Sequence, residues 1–155
     1  MRRILIPILA LTLTACNDDL KVIDGDSIVL HGRQTRLHGM DAPELKQECQ
    51  TASLQSWRCG RAARDELNRL IGSAKIICWK IYHDSYQRPI SQCFANGQDI
   101  GEAMVRSGYA VAYRRYSSRY IDAETEARSH RRGVWAGIFE YPEQWRIKYR
   151  ENNAR

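Results

Sequence analysis

Four of the five cysteines in this 155-residue chain, Cys49, Cys59, Cys78 and Cys93, constrain its path more than any other feature. In an oxidising compartment an even set of cysteines joins into disulfides, and four allow three pairings. Cys78 and Cys93 lie symmetrically about residues 85 and 86, inside the turn-like stretch His83–Asp84–Ser85–Tyr86–Gln87. Two strands folding back there would set these two cysteines opposite each other. Cys49 and Cys59 are then left to close a short loop, a restraint worth roughly 2–4 kcal/mol. A metal reading of the cysteines is weaker. No Cys-x-x-Cys pair exists, and His31, His38, His83 and His130 have no ligand spacing.

The fifth cysteine belongs to a different segment. Arg2 and Arg3 precede an apolar run, Ile4 to Ala15, which ends in Leu13–Thr14–Ala15–Cys16. A positive start followed by a short apolar stretch has the form of an export signal, and it is too short to span a bilayer comfortably. Leu-Thr-Ala-Cys resembles a bacterial lipobox, in which the cysteine is lipidated and becomes the first residue of the mature protein. The plainer alternative is ordinary signal cleavage with Cys16 incidental. The expected organisation is therefore a signal at 1–15, lipidation at Cys16, a tether at 16–19 and one domain at 20–139. The tail at 140–155 carries Trp145 and several basic residues; it reads as a frayed amphipathic helix and receives no role. The mature chain would be exported, facing the periplasm or cell exterior as a membrane-anchored lipoprotein, or secreted.

Length allows a single domain with one modest core. Lys and Arg total 24 against 18 Asp and Glu, a formal charge of +6. That excess suits a polyanionic partner but does not choose between nucleic acid, acidic lipid and simple solubility. Lys21–Val22–Ile23 and Ser27 to Leu30 read as strands around the turn Asp24–Gly25–Asp26. His31–Gly32–Arg33 turns into a further strand, Gln34 to His38. Lys75 to Tyr82 and Ile90 to Ala95 read as a pair that ends at Asn96–Gly97. Ala63, Leu67 and Leu70 recur at helical spacing between Gly60 and Ile71. Asp99 with Glu102 offers a capping box for a second helix stopped by Gly108. Ser117 or Ser118 would cap a third helix running to about Arg132. Strands with helices wedged among them imply an α+β fold with a small curled sheet or barrel.

The acidic and arginine residues fit phosphodiester hydrolysis, which needs an activated water, charge neutralisation at phosphorus and help for the leaving oxygen. Asp26 and Asp41 are candidate ligands for Ca²⁺ or Mg²⁺, and the backbone carbonyl of Ala42 could join them. Glu44 follows closely enough to act on a water beside the ion, with Pro43 stiffening the connection. Arg36 and Arg88 could reach the phosphate from different strands, since a guanidinium fork holds two oxygens and stays charged. Taken singly, Asp24–Gly25 and Asp41–Ala42–Pro43 read as turns and each arginine as a surface charge. Asp24 suits a turn or supporting role better than that of a ligand. Order and spacing carry the signal.

Val22-Ile23-Asp24-Gly25-Asp26-Ser27 followed by Arg36-Leu37-His38-Gly39-Met40-Asp41-Ala42-Pro43-Glu44 resembles the staphylococcal nuclease (thermonuclease) family. A looser match is Asp84-Ser85-Tyr86-Gln87-Arg88, similar to the family's Asp-x-Tyr-Gly-Arg. Gly101 to Ala110, then Glu124, Ala127 and Arg131-Arg132-Gly133-Val134-Trp135, extend the likeness from about Leu20 to Trp135. The resemblance implies a five-stranded OB-type β-barrel with three α-helices. It implies Ca²⁺ held by Asp26, Asp41 and the Ala42 carbonyl, Glu44 as base or water-orienting group, and Arg36 and Arg88 as catalytic arginines. It also implies cleavage of DNA and RNA with little sequence preference, leaving 3′-phosphate ends, and places Tyr86 and Tyr116 beside the nucleotide. Three departures stand out. Gln87 replaces the usual glycine, Ala42 stands where the best-known member has threonine, and Pro89 follows Arg88, which suggests an edge strand. The rival readings are a catalytically inactive module of the same fold that binds nucleic acid or protein, and an unrelated basic surface lipoprotein.

Overall fold

The computed structural model describes residues 20–154. The expected signal, the tether and Cys16 lie outside the described residues. In chain order the elements are β1 (Leu20–Val22), β2 (Ser27–Leu30), β3 (Arg33–Leu37), β4 (Met40–Asp41), β5 (Cys49–Gln50), β6 (Ser56–Trp57) and α1 (Cys59–Ile71). There follow β7 (Ile76–His83), β8 (Pro89–Ala95), β9 (Gln98–Asp99), α2 (Ile100–Arg106), β10 (Val111–Ala112), α3 (Ile121–Ser129), a 3₁₀ turn (Gly133–Ala136) and α4 (Pro142–Asn153).

The main sheet runs β1-β2-β3-β8-β7, with β9 added on β8. All its pairings are antiparallel except β3 with β8. Curled into a half-barrel, it wraps a core of Ile28, Leu37, Met40, Leu67, Ile76, Ile100, Met104 and Val105, which α1, α2 and Tyr120 close from the other side. The expected α+β, OB-like architecture is thus present. Its hairpins obey local chemistry. His31 and Gly32 take positive φ between β2 and β3, as Asn96 and Gly97 do between β8 and β9, and both pairs match the twist of the strands they join.

Cys78 and Cys93 are direct partners in the β7–β8 register and form a disulfide. Cys49–Cys59 forms the other, in a satellite core with Val134, Trp57, Trp135 and Phe139. Gly108 and Gly133 approach backbone to backbone: Val134 N–H donates to the Gly108 carbonyl at 2.9 Å. A Cβ on Gly108 would lie 2.2 Å from the Arg132 oxygen, and one on Gly133 would lie 2.2 Å from the Gly108 oxygen.

Several local expectations change. The third helix begins at Ile121 behind Tyr120, and neither Ser117 nor Ser118 caps it. Ser117 Oγ instead accepts from Arg119 N–H within the preceding turn. The Asp99 cap is present, accepting from Glu102 N–H, but Glu102 pairs with Arg106 rather than completing the box. Pro89 does not mark an edge strand, because β8 lies between β3 and β7. It is the first residue of β8, a position where a strand tolerates a missing donor. The tail is a fourth helix, α4, started by Pro142 at its first turn with Glu143 beside it. No helix among the described residues is long and apolar enough to cross a membrane.

Candidate active site

The acidic cluster is assembled where the β1–β2 turn, β3, β4 and the loop after β4 meet. Asp24 Oδ1 accepts from Asp26 N–H at 3.1 Å, closing the β1–β2 turn over itself. Gly25 is required there, because a Cβ would sit 2.6 Å from Ala42 Cβ and 2.8 Å from Ala63 Cβ. Asp26 Oδ1 accepts from Ser27 Oγ at 2.9 Å, and Oδ2 accepts from Ala42 N–H at 3.3 Å. Register then sets Arg36 beside them: on β3 it pairs with Ser27 of β2. Its Nη2 lies 2.6 Å from Asp26 Oδ2 and 2.6 Å from Asp41 Oδ1. Asp41 is held on β4 by pairing with Val111 of β10 and is only 1% exposed.

Glu44 stands on the loop after β4. Its N–H donates to Gln47 Oε1 at 3.2 Å, while Gln47 Nε2 donates to the Glu140 carbonyl at 2.7 Å. Gly60 closes the same loop, since a Cβ there would overlap the Glu44 carbonyl at 1.8 Å. The fully buried Gln47 and the start of α1 therefore fix the backbone that carries Glu44.

Arg88 lines, together with Arg36, a cleft of about 490 Å³. Arg36 pairs with Ile90 across the parallel β3–β8 contact, and Arg88 lies two residues upstream of Ile90. Asp84 orients it, with Oδ2 accepting from Arg88 Nε at 2.8 Å and Oδ1 from Arg88 N–H at 2.9 Å. Tyr86 and Tyr116 line the same cleft and are well exposed, with Arg88 Cζ 5.5 Å from the Tyr86 ring centre. Each sequence-derived site side chain thus belongs either to the acidic cluster or to this cleft, and Arg36 belongs to both.

Two participants were not foreseen. Arg146 of α4 reaches into the acidic cluster: Nη1 donates to Asp41 Oδ1 at 2.8 Å and to Glu44 Oε1 at 2.8 Å, and Nη2 to Asp41 Oδ2 at 3.0 Å. Tyr113 packs edge-on against Tyr116, with ring centres 4.9 Å apart, and donates its hydroxyl to Glu143 of α4. Burial and then that hydrogen bond push the Tyr113 phenol up to about 12. Pro142 and Glu143 are recognisable helix-start signals, so the helix was within reach of sequence reasoning. Its target was not.

The cluster brings four carboxylates, Asp24, Asp26, Asp41 and Glu44, against two guanidiniums. Burial, followed by repulsion from Asp26, lifts Asp24 to about 7. Burial also raises Asp41, with the hydrogen bond from Arg146 pulling it back. For Arg36 and Arg146 burial alone would favour the neutral form, but Asp26 and Asp41 outweigh it for Arg36, and Asp41 with Glu44 for Arg146. Shielded, anionic oxygen donors with surplus negative charge suit a hard divalent cation. Among the described residues no three Asp, Glu, His or Cys side chains converge as a ready-made cage. The expected set, Asp26, Asp41 and the Ala42 carbonyl, contains only two side chains and leaves its other positions to water and substrate.

A curled α+β half-barrel holding two aspartates, a glutamate and an arginine at its strand ends defines a class. Residues 34–137 match the family described as Staphylococcal nuclease homologue, and the chain belongs to that family. It is 32% identical over 74% of its length to the succinoglycan biosynthesis protein ExoI of Rhizobium meliloti, of which the match covers 61%. It is 32% identical over 84% of its length to the probable staphylococcal-like nuclease CAN3 of rice, covering 32% of that protein. An uncharacterised endonuclease of Haemophilus influenzae is 28% identical over 99% of the chain and 90% of its own length. The chain thus spans about six-tenths of the first relative and a third of the second.

Proposed function

We propose that this protein is a calcium-dependent nuclease hydrolysing the phosphodiester bonds of DNA and RNA with little sequence preference and leaving 3′-phosphate ends. The observation that carries the reading is the convergence of Asp26 and Asp41 on Arg36, each 2.6 Å from its Nη2, with Glu44 joined to Asp41 through Arg146, beside a cleft that Arg88 also lines. Asp26, Asp41 and the Ala42 carbonyl would hold Ca²⁺. The bound ion supplies Lewis acidity at a phosphate oxygen and orients a water. Glu44, on a loop that Gln47 and Gly60 hold, takes the proton of the attacking water as its oxygen bonds to phosphorus. The phosphorus–O5′ bond breaks, and the departing 5′ oxygen takes a proton from solvent water. Arg36 and Arg88 bind the phosphate oxygens and stabilise their added charge in the transition state. Tyr86 and Tyr116 offer ring faces to the flanking nucleoside.

One observation favours the rival reading of an inactive binding module: Arg146 already covers Asp41 and Glu44. An assay on single-stranded DNA, with Ca²⁺ and with chelator, separates the two. The expected result is degradation in Ca²⁺ that stops in chelator, with Glu44→Gln slowing turnover by on the order of 10²–10⁴-fold at unchanged fold. Cleavage that persists in chelator would discard the metal mechanism, and unchanged turnover in the variant would remove Glu44 from its role.

The two disulfides support export, because such bonds persist in oxidising compartments. We propose a lipid anchor at Cys16 on the sequence alone. Cys16→Ser is expected to abolish metabolic labelling with palmitate, and an unlabelled parent protein would reject the anchor.

A further inference from the structure

We propose that Arg146 is a resident counter-cation of the acidic cluster, competing with the divalent ion for Asp41 and Glu44, so that ion binding and the seating of α4 oppose each other. The proposal rests on the calcium reading above. It extends that reading to a helix, Pro142–Asn153, that lies beyond the matched region 34–137.

The geometry is that of competition. Arg146 engages both oxygens of Asp41 and Oε1 of Glu44 at 2.8–3.0 Å. A hard divalent ion would need the same Asp41 oxygens, at about 2.3–2.6 Å. Two cations drawn to one buried carboxylate repel each other strongly where water is largely excluded.

The two guanidiniums of the cluster differ in how they are held. Arg36 is carried by β3 inside the main sheet and is anchored by Asp26 as well as Asp41. Arg146 arrives on a helix in which Pro142 alone among twelve residues is buried. The segment ahead of the helix is held by buried Gln47 at the Glu140 carbonyl, but the contacts of α4 itself are polar and near the surface: Glu143 accepts from Tyr113 and from Arg115, and Lys148 pairs back with Glu140. Contacts of this kind contribute little individually and re-form with water. Arg36 is therefore a permanent member of the site, and Arg146 an exchangeable one.

The test needs no nucleic acid. Ca²⁺ is titrated calorimetrically into the metal-free full chain, as the parent and as Arg146→Ala and Arg146→Met. The methionine variant keeps an apolar stem over Asp41 should alanine disturb the fold, and near-UV circular dichroism checks both. Hydrogen exchange of residues 142–153 is followed in parallel. The expected result is Ca²⁺ binding at least roughly tenfold tighter in the variants, a change of about 1.4 kcal/mol. In the parent, Ca²⁺ should accelerate exchange across α4, whereas in the variants exchange should be fast with or without the ion. Equal or weaker Ca²⁺ affinity in both folded variants overturns the proposal and leaves the calcium reading standing. No Ca²⁺ binding by any of the three proteins removes the calcium reading and the proposal with it.

Discussion

Asp84 commits both carboxylate oxygens to the turn that carries Arg88, accepting from the N–H groups of Tyr86 and Arg88 and from Arg88 Nε. Burial disfavours its charged form, but these hydrogen bonds outweigh burial and hold the carboxyl below its usual 3.8. A depressed folded value means stability that is present above the unfolded value and lost as pH falls through the folded one. Acid should therefore release Arg88 only below about pH 4, as chemical shifts of the 84–88 amides would report. Asp84→Ala is expected to cost about 1 kcal/mol in urea unfolding and to lower kcat, because Arg88 loses its orientation. Unchanged kcat would show that Arg88 needs no such support. At this scale Asp26, Arg36, Asp41 and Glu44 were legible because they fall within one short stretch of ordered motifs. Arg146 was not, since 105 residues separate it from Asp41 and no motif surrounds it.

The β7–β8 connection shows how an element records a substitution. Gln87 has φ +60°, so the position usually held by glycine keeps the left-handed backbone that glycine favours. Gln87→Gly relieves that strain, partly offset by the greater freedom of glycine in the unfolded chain. A gain of roughly 0.5 kcal/mol is expected in chemical denaturation, with the Asp84–Arg88 clamp intact. The long elements were readable: α1, α2, β7 and β8 each announced themselves through periodicity, a cap or a turn. The two-residue strands β4, β5, β6, β9 and β10 were not, because pairing this short is imposed by tertiary packing and leaves no alternation to detect. The same holds for Pro89, where sequence supplied the missing donor but not the strand order that makes it harmless.

Across the whole molecule the disulfides tie the site to the scaffold. Cys78–Cys93 pins the hairpin that presents Arg88, and Cys49–Cys59 pins the loop and the start of α1 around Gln47, Gly60 and Glu44. Replacing Cys78 and Cys93 together with alanine should lower unfolding free energy by about 2–4 kcal/mol, readable as a lower urea midpoint. If the midpoint is unchanged, the hairpin holds without its bond. The overall fold was accessible from sequence because hairpin turns, cysteine symmetry and the ordered acidic motifs agreed on one arrangement. What stayed hidden was how the C-terminal segment returns to the acids. The contact between Gly108 and Gly133 makes the two positions interdependent. A side chain at either position forces the same two backbone segments apart, so the first replacement opens the space that the second would need. Apart from the φ strain each bears separately, Gly108→Ala and Gly133→Ala together should cost clearly less than their sum. The two glycines then act as a single packing unit, a coupling that a double-mutant cycle in urea unfolding would read.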